Sequence, residues 1–396
     1  MGELFEINPK SKADDELTSS FIPMEKIEPN NINKFSFSID NWGKIKKGHT
    51  QFQNGDVCFA KISPCFENGK AFIADGLENG IGAGTTELIV LRNREIDSKY
   101  AFYFVSDLNF VRKGCATYSG TVGQQRISMD FVKAYPFPLP PTLAEQQRIV
   151  NHIETMFAKL DEAKEKAQNV VDSFETRKAE ILHKAFNGQL KIDNEELKIE
   201  DWEDTTIGEC CKLGSGGTPS KSHPEYYENG IIPWLKTGEI DWKDIYEVEE
   251  KITHEGVDNS SAKIFPAESV VVAMYGMGVT RGKAAIIKIP TTTNQAVCVL
   301  QPNKKLNNRF LFYYFMCNYW QIREQSVGGN QLNLSGKIIA SFPIKLPPLN
   351  YQLSIVNFLD TILEKESRAK EAALAVLEKT AILKKSILAR AFRGEI

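Results

Sequence analysis

The sequence predicts an α+β fold. Two β-rich globular halves stand in tandem pseudo-repeat, each followed by a helix of about 40 residues, and the two helices form an antiparallel coiled coil. Three observations carry this reading. The chain repeats one plan: Ile149-Val150-Asn151 returns as Ile355-Val356-Asn357, Ala163-Lys164-Glu165 as Ala369-Lys370-Glu371, and Ala185-Phe186 before Gly188 as Ala391-Phe392 before Gly394. The repeated segments carry apolar residues in alternating steps of three and four, the signature of a coiled-coil seam. The stretches between them hold short β-branched runs punctuated by Gly and Pro, the mark of strands and turns.

Residues 1–138 form the first globular half. Asp56-Val57-Cys58-Phe59-Ala60-Lys61-Ile62 and Glu87-Leu88-Ile89-Val90-Leu91 read as strands, and Ala101-Phe102-Tyr103-Phe104-Val105 as a buried aromatic helix. The first long helix occupies 139–190. Pro140-Pro141 bar any helix upstream, and Gly188 supplies a stop. Its seam runs Ile149, Ile153, Met156, Leu160, Ala163, Ala167, Val170, Phe174, Ile181 and Ala185, with Arg177 in the slot before Ile181. Residues 191–201 are polar and charged, a linker. The second half, 202–345, repeats the plan with strands Ser269-Val270-Val271-Val272-Ala273-Met274 and Ala296-Val297-Cys298-Val299-Leu300, and a helix through Arg309-Phe310-Leu311-Phe312-Tyr313-Tyr314. The second long helix, 346–396, follows Pro347-Pro348 and stops near Gly394. Its expected seam is Ile355, Leu359, Ile362, Ala369, Ala373, Val376, Leu383, Ile387 and Ala391, with Glu366 and Thr380 as exceptions. A lone rod with an apolar seam is poorly solvated, so two rods of equal length in one chain are expected to pair. The first helical segment is net acidic and the second net basic, which suits that pairing. Weaker matches extend the repeat into the globular halves: Gly2-Glu3 with Gly208-Glu209, Gly69-Lys70-Ala71 with Gly282-Lys283-Ala284, Gln124 with Gln331, and Ser128 with Ser335.

Composition narrows the function. Hydrophobic residues make up 42% and charged residues 25% of the chain, ordinary values for a globular protein. No run nears the roughly 18 apolar residues of a membrane span. Seven cysteines, an odd number without a C-x-x-C pair, argue against a disulfide scaffold or a structural zinc site and point to a reduced, cytoplasmic protein. The formal net charge of −3 gives no broad basic face, although a local patch suffices for phosphate contacts.

Catalytic motifs fail on inspection. The five histidines are scattered without metal spacing. Gly276 through Ala284 imitates a phosphate loop, but the spacing to Gly282-Lys283 is one too long and Ala284 stands where Mg²⁺ needs a hydroxyl. Gly80-Ile81-Gly82-Ala83-Gly84 lacks the dinucleotide spacing. Glu239-Ile240-Asp241-Trp242-Lys243 contains an acidic-x-Lys triplet, which is common by chance. No catalytic, cofactor-binding or metal-binding residue is assigned.

Leu-Pro-Pro followed by Glu145-Gln146-Gln147-Arg148-Ile149-Val150, the helix ends Ala185-Phe186-Asn187-Gly188 and Ala391-Phe392-Arg393-Gly394, and the opening of the second half (Trp202, Gly208-Glu209, Gly214-Ser215-Gly216-Gly217-Thr218-Pro219-Ser220-Lys221, Ile232-Pro233-Trp234-Leu235) resemble the specificity (S) subunit of type I restriction–modification systems, over nearly the whole chain. There are departures. Asn8-Pro9-Lys10-Ser11-Lys12 replaces the glycine-rich stretch in the first half, and Tyr351-Gln352-Leu353 replaces Glu145-Gln146-Gln147. The first half has no counterpart of Trp202, which is what a start site chosen slightly late would leave.

The resemblance implies a non-catalytic reader. Each globular half binds one half of a split, asymmetric site on double-stranded DNA. The helix pair sets the gap and docks two adenine methyltransferase (M) subunits, and restriction (R) subunits complete the nuclease. It implies no cofactor in this chain; S-adenosylmethionine, ATP and Mg belong to the partners. Polar and basic loop residues near glycines are then the candidate DNA readers: Lys61, Lys70, Thr85, Thr86, Gln124, Gln125 and Arg126 in the first half, and Thr218, Lys221, Tyr275, Arg281, Lys283, Asn294, Gln295, Asn330, Gln331 and Asn333 in the second. Arg suits guanine and Asn or Gln adenine in the major groove. Each also has an ordinary alternative as a solvated loop, a backbone cap or a phosphate contact. Glu87 is expected to turn inward. Two other functions fit the same residues, a free-standing bivalent DNA binder and a structural coiled-coil scaffold. Salt-dependent DNA affinity separates them.

Overall fold

The computed structural model describes residues 1–396 except 31, 122, 193–194, 197–198, 277 and 329–331. It divides into two compact units, Met1–Asn169 with Ala373–Ile396, and Val170–Ala372. Each unit holds one globular half together with a piece of both long helices. Among the described residues no helix is long and apolar enough to cross a membrane.

In the first unit, one four-stranded antiparallel sheet has the order Glu6–Ile7, Leu88–Arg92, Val57–Ala60, Ala71–Ile73. A second has the order Ser38–Asn41, Thr18–Ile22, Ile81–Gly84, Thr50–Gln53, with its middle pair parallel. The glycine-rich stretch from Gly80 is thus mostly strand. A Cβ on Gly82 would lie 2.6 Å from the Phe52 ring and 2.8 Å from the Ser20 carbonyl, so close packing explains that glycine.

The second unit repeats this topology. Its main sheet runs Cys211–Ser215, Val297–Pro302, Val270–Ala273, Ala284–Ile287, with Asp244–Ile245 added in parallel at the edge. Its smaller sheet is Lys251–Ile252, Ile232–Leu235, Thr292–Thr293, the last pair again parallel. The repeat also holds at the contact level. A Cβ on Gly2 would meet Lys133 at 3.3 Å, and one on Gly208 would meet Ala340 at 3.1 Å.

All four strands expected from apolar runs form, because these β-branched segments are buried on both faces. The aromatic helices are longer than expected. Ser98–Val105 starts at Asp97 and Asn308–Cys317 at Asn307, residues whose side chains cap the free amides. The cores are aromatic in the first unit (Phe59, Phe66, Phe104, Phe110) and mixed in the second (Val270, Val272, Phe310, Phe315). Cys58, Cys210, Cys211 and Cys298 are buried free thiols, and Cys65, Cys115 and Cys317 are half-buried.

The long helices span Leu143–Phe186 and Leu349–Ala391. Gly188 and Gly394 follow them with φ of 66° and 77°, the left-handed turn that ends a helix. Within each unit the helices run antiparallel. In the first, Ile149, Val150 and Ile153 pack with Leu388 and Ala391, and Asp161 pairs with Lys384 at 2.7 Å. In the second, Glu175 meets Lys370 at 3.6 Å and Arg177 meets Glu366 at 2.8 Å, while Leu182 shares a core with Ile355 and Leu359.

The seam of the second helix departs from its apolar pattern. Ala369, Val376 and Leu383 are exposed. The inward positions between Ile362 and Ile387 are Glu366, Lys370, Ala373, Leu377, Thr380 and Lys384, still in steps of three and four. Three of these are charged and meet opposite charges on the first helix, which is why apolar periodicity missed them. Thr380 is buried and its hydroxyl donates to the Val376 carbonyl at 2.7 Å.

Candidate nucleic-acid interface

Two loops converge in each half, and most of the candidate residues sit on or beside them. In the first half these are 61–70, between strands, and 119–126. Ile127 N–H donates to the Lys61 carbonyl at 3.0 Å, Ser63 N–H to Gln125 at 2.8 Å, and Ser119 and Arg126 exchange both backbone bonds. Gln124 and Thr86 are exposed, while Lys61, Thr85 and Gln125 are half-buried.

Arg126 is already engaged. Its Nε and Nη2 each donate to the Glu87 carboxylate at 2.8 Å, and Nη1 donates to the Gln124 carbonyl at 3.0 Å. The hydrogen bond from Arg126 holds the Glu87 carboxyl below its ordinary range. Glu87 therefore turns toward the loop, and Arg126 is a brace whose guanidinium edge is occupied. Lys70 Nζ is likewise tied to the Met24 carbonyl at 2.8 Å. Thr85 Oγ1 accepts the Glu87 N–H at 3.2 Å.

The second half presents the equivalent loops at 274–283 and 326–334. Leu334 N–H donates to the Met274 carbonyl at 3.0 Å, and Val327 and Asn333 exchange backbone bonds. Arg281 Nη1 donates to the Leu332 carbonyl at 2.6 Å, joining the two loops. Arg323 donates to the carbonyls of Arg281 and Gly278, and the Tyr319 hydroxyl to that of Val279. The Arg323 guanidinium also lies over the rings of Tyr319 and Trp320, at 5.0 and 5.5 Å. Burial, then the charge of Arg323, pull Arg281 below its ordinary pKa. Among the described residues, buried Arg281 Nε, Ser326 Oγ and Asn333 Oδ1 find no hydrogen-bond partner. Asn330 and Gln331 lie outside the described residues.

Of the other candidates in the second half, Lys283 is tied to Asp241 at 2.5 Å. The Thr218 hydroxyl donates to Gln295 Oε1, and Asn294 Oδ1 accepts the Ala296 N–H at 3.2 Å. Lys221 and Tyr275 are exposed. The register places Leu88 opposite Ala60 and Val297 opposite Ala273, so Glu87 corresponds to Ala296 and Thr86 to Gln295. The glycine-rich opening that presents Thr218 is shaped by packing. A Cβ on Gly216 would fall 1.8 Å from the Thr293 carbonyl, and Trp234 Nε1 donates to the Gly217 carbonyl at 3.0 Å. Arg323 and Trp320 escaped the sequence reading. The only signal was an aromatic pair, Tyr319-Trp320, directly after a helix end.

The family model for the type I restriction modification DNA specificity domain matches residues 1–172 and 199–379. The chain belongs to that family. Among curated members, the type I restriction enzyme EcoAI specificity subunit of Escherichia coli is 38% identical over 200 residues, covering 50% of this chain and 33% of that subunit. The EcoR124I/EcoR124II specificity subunit of Escherichia coli is 28% identical over 271 residues, covering 66% of this chain and 62% of the other. The chain thus spans about a third of the EcoAI subunit, and 34% of the EcoEI subunit. Among solved structures, the HsdS subunit from Thermoanaerobacter tengcongensis matches with a TM-score of 0.75 at 18% identity, covering 100% of this chain and 96% of that one. A structure from work on complex assembly and conformational transition of the type I R-M system matches at 0.66 and 20% identity, covering 100% and 97%. These structures share the tandem fold.

Proposed function

We propose that the chain is the DNA sequence-recognition subunit of a type I restriction–modification complex and performs no catalysis itself. Each globular half reads one half of a bipartite site on double-stranded DNA. The paired helices set the gap and dock two adenine methyltransferase subunits, which use S-adenosylmethionine. Restriction subunits using ATP and Mg²⁺ join the same complex.

The observation that carries this reading is the repetition of one loop pair with different residues. Family membership supplies the task, and equivalent loops with unlike side chains supply two unlike readers. Joining two weak readers in one chain makes the second contact intramolecular and raises avidity. Because the equivalent loops 61–70 and 274–283 carry unlike residues, Lys61 where the second half has Met274 and Asn68 where it has Arg281, the two half-sites differ in sequence.

The test is a methylation map of DNA from cells making this chain with its methyltransferase partner, compared with cells lacking this chain. A split motif with a fixed gap and a methylated adenine in each half is the expected result. An intact complex that leaves no new motif would overturn the reading.

A further inference from the structure

Both long helices meet the second half at a cluster of charges. Ile181 of the first helix and Trp242 of the second half pack on one core. Beside them, lysines from three elements act on one another: Lys178 on the first helix, Lys370 on the second, and Lys283 directly before the strand Ala284–Ile287. Two carboxylates, Glu175 and Asp241, belong to the same cluster.

Both carboxylates are already engaged. Lys283 Nζ donates to Asp241 at 2.5 Å. Lys370 Nζ lies 3.6 Å from Glu175 and 4.2 Å over the Phe174 ring. Lys178 is left over. It is half-buried, and among the described residues it donates no hydrogen bond and forms no ion pair. Burial pulls its ammonium below the ordinary lysine pKa; Glu175 and Asp241 oppose that pull, and Lys370 and Lys283 add to it. A half-buried charge is costly unless an opposite charge faces it. The cluster therefore suits one further anion.

Position indicates which anion. Lys178 and Lys370 stand on the helices that set the gap, apart from the loops that face base edges. An ammonium is a compact point charge, suited to a phosphate oxygen. Between the half-sites a duplex offers its phosphates, which position a protein without carrying sequence information.

Resting on the DNA-reading function proposed above, we infer that Lys178, flanked by Lys283 and Lys370, binds a backbone phosphate of the gap duplex next to the second half-site. The contact anchors the duplex on the helix pair. Lys283 is then part of that anchor and reads no base.

The experiment uses the full chain with its methyltransferase partner and duplexes carrying the mapped split site. Lys178→Gln should leave the methylated motif and its gap unchanged, and should weaken binding equally on specific and scrambled duplexes. Loss of one phosphate contact lowers the slope of log affinity against log salt by about one. The deficit of the variant should therefore shrink about threefold between roughly 50 and 200 mM salt. Lys178→Arg keeps the charge and should keep the slope. The thermal midpoint of Lys178→Gln should hold or rise, because an unpaired half-buried charge is removed. Neutral methylphosphonates placed one at a time along the gap locate the contact. One position should weaken wild type about as much as Lys178→Gln does, and should weaken that variant no further. An unchanged salt slope, or a coupled phosphate inside a half-site, overturns the gap contact and leaves the DNA-reading function standing. So does an unchanged slope joined to a wild-type midpoint that inorganic phosphate raises at constant ionic strength, which would make the ligand a free anion. If no split site exists, both inferences are overturned.

Discussion

Gln146 Oε1 accepts the backbone N–H of Asp97 at 2.9 Å, and Asp97 is the residue that caps the aromatic helix of the first half. Gln352 Oε1 accepts the N–H of Asn307, the equivalent cap of the second half, at 2.8 Å. Both glutamines are buried, at the start of their long helices. Each therefore ties a globular half to the helix that leaves it. This explains why the second helix keeps only the middle residue of Glu145-Gln146-Gln147 in its Tyr351-Gln352-Leu353. Position 146 satisfies the amide of half-buried Asp97, whereas Glu145 pairs with its own helix neighbour Arg148.

Replacing either glutamine by leucine leaves a part-buried N–H without its acceptor, which costs up to about 1–3 kcal/mol. Gln352 also donates to the carbonyls of Lys305 and Pro347, both at 2.8 Å. Gln352→Leu should therefore lower the denaturation midpoint more than Gln146→Leu. Urea unfolding followed by circular dichroism gives the order, and a smaller loss for Gln352→Leu would contradict this account.

Gly216→Ala is expected to be severe. The added methyl would collide with the backbone carbonyl of Thr293, which belongs to a buried strand and cannot yield as a flexible side chain would. Overpacking of this kind costs about 3 kcal/mol or more. Gly238→Ala is the control, since a Cβ there meets nothing within 4 Å. Soluble yield and thermal midpoint should fall for the first and hold for the second.

The tandem repeat was legible because it recurs residue by residue, and the central strands of each main sheet because they are apolar runs buried on both faces. Strands of the other sheet in the first unit, such as Ser38–Asn41 and Thr50–Gln53, carry no such run. Val57–Ala60 and Val270–Ala273 could be read directly. The seam of the second helix could not. Val376 and Leu383 continue an apolar pattern yet face outward, while Lys370 and Lys384 turn inward toward acids of the other helix. Interactions between residues far apart in sequence leave no trace in local periodicity. The site shows the same limit. The loops were located by their glycines and amides, but the tie of Arg126 to Glu87 depends on a tertiary contact, and so does the anchoring of Arg281 on Leu332.

The Glu87–Arg126 pair predicts a pH dependence. The folded-state pKa of Glu87 is depressed, first by the hydrogen bond from Arg126. A carboxylate with a lowered folded pKa stabilises the fold above its unfolded value, near 4.3, and that stabilisation is lost as pH falls through the lower folded value. Wild type should therefore exceed Glu87→Gln in thermal midpoint at pH 7, and the gap should close in acid, below about pH 4. Both side chains are partly exposed, so the gap is small and should shrink in salt. A gap that widened in acid would reverse the assigned sign.

Arg177 and Glu366 meet each other within the seam, Nε to Oε2 at 2.8 Å. The neighbouring cross-helix pairs, Asp161–Lys384 and Glu175–Lys370, place the acid on the first helix, so this pair alone among them is reversed in sense. A charge pair of reversed sense is well suited to fixing register, because a slip by one seam position sets Arg177 against apolar Ile362 or like-charged Lys370. Arg177→Glu or Glu366→Arg alone should destabilise the chain by bringing like charges together. The exchanged pair, Arg177→Glu with Glu366→Arg, should recover most of the loss. A double-mutant cycle in urea should give a coupling energy of about 1–2 kcal/mol, within the range found for contacting residues. Additive single effects would mean that packing around these side chains, and not their charge, holds the helices in register.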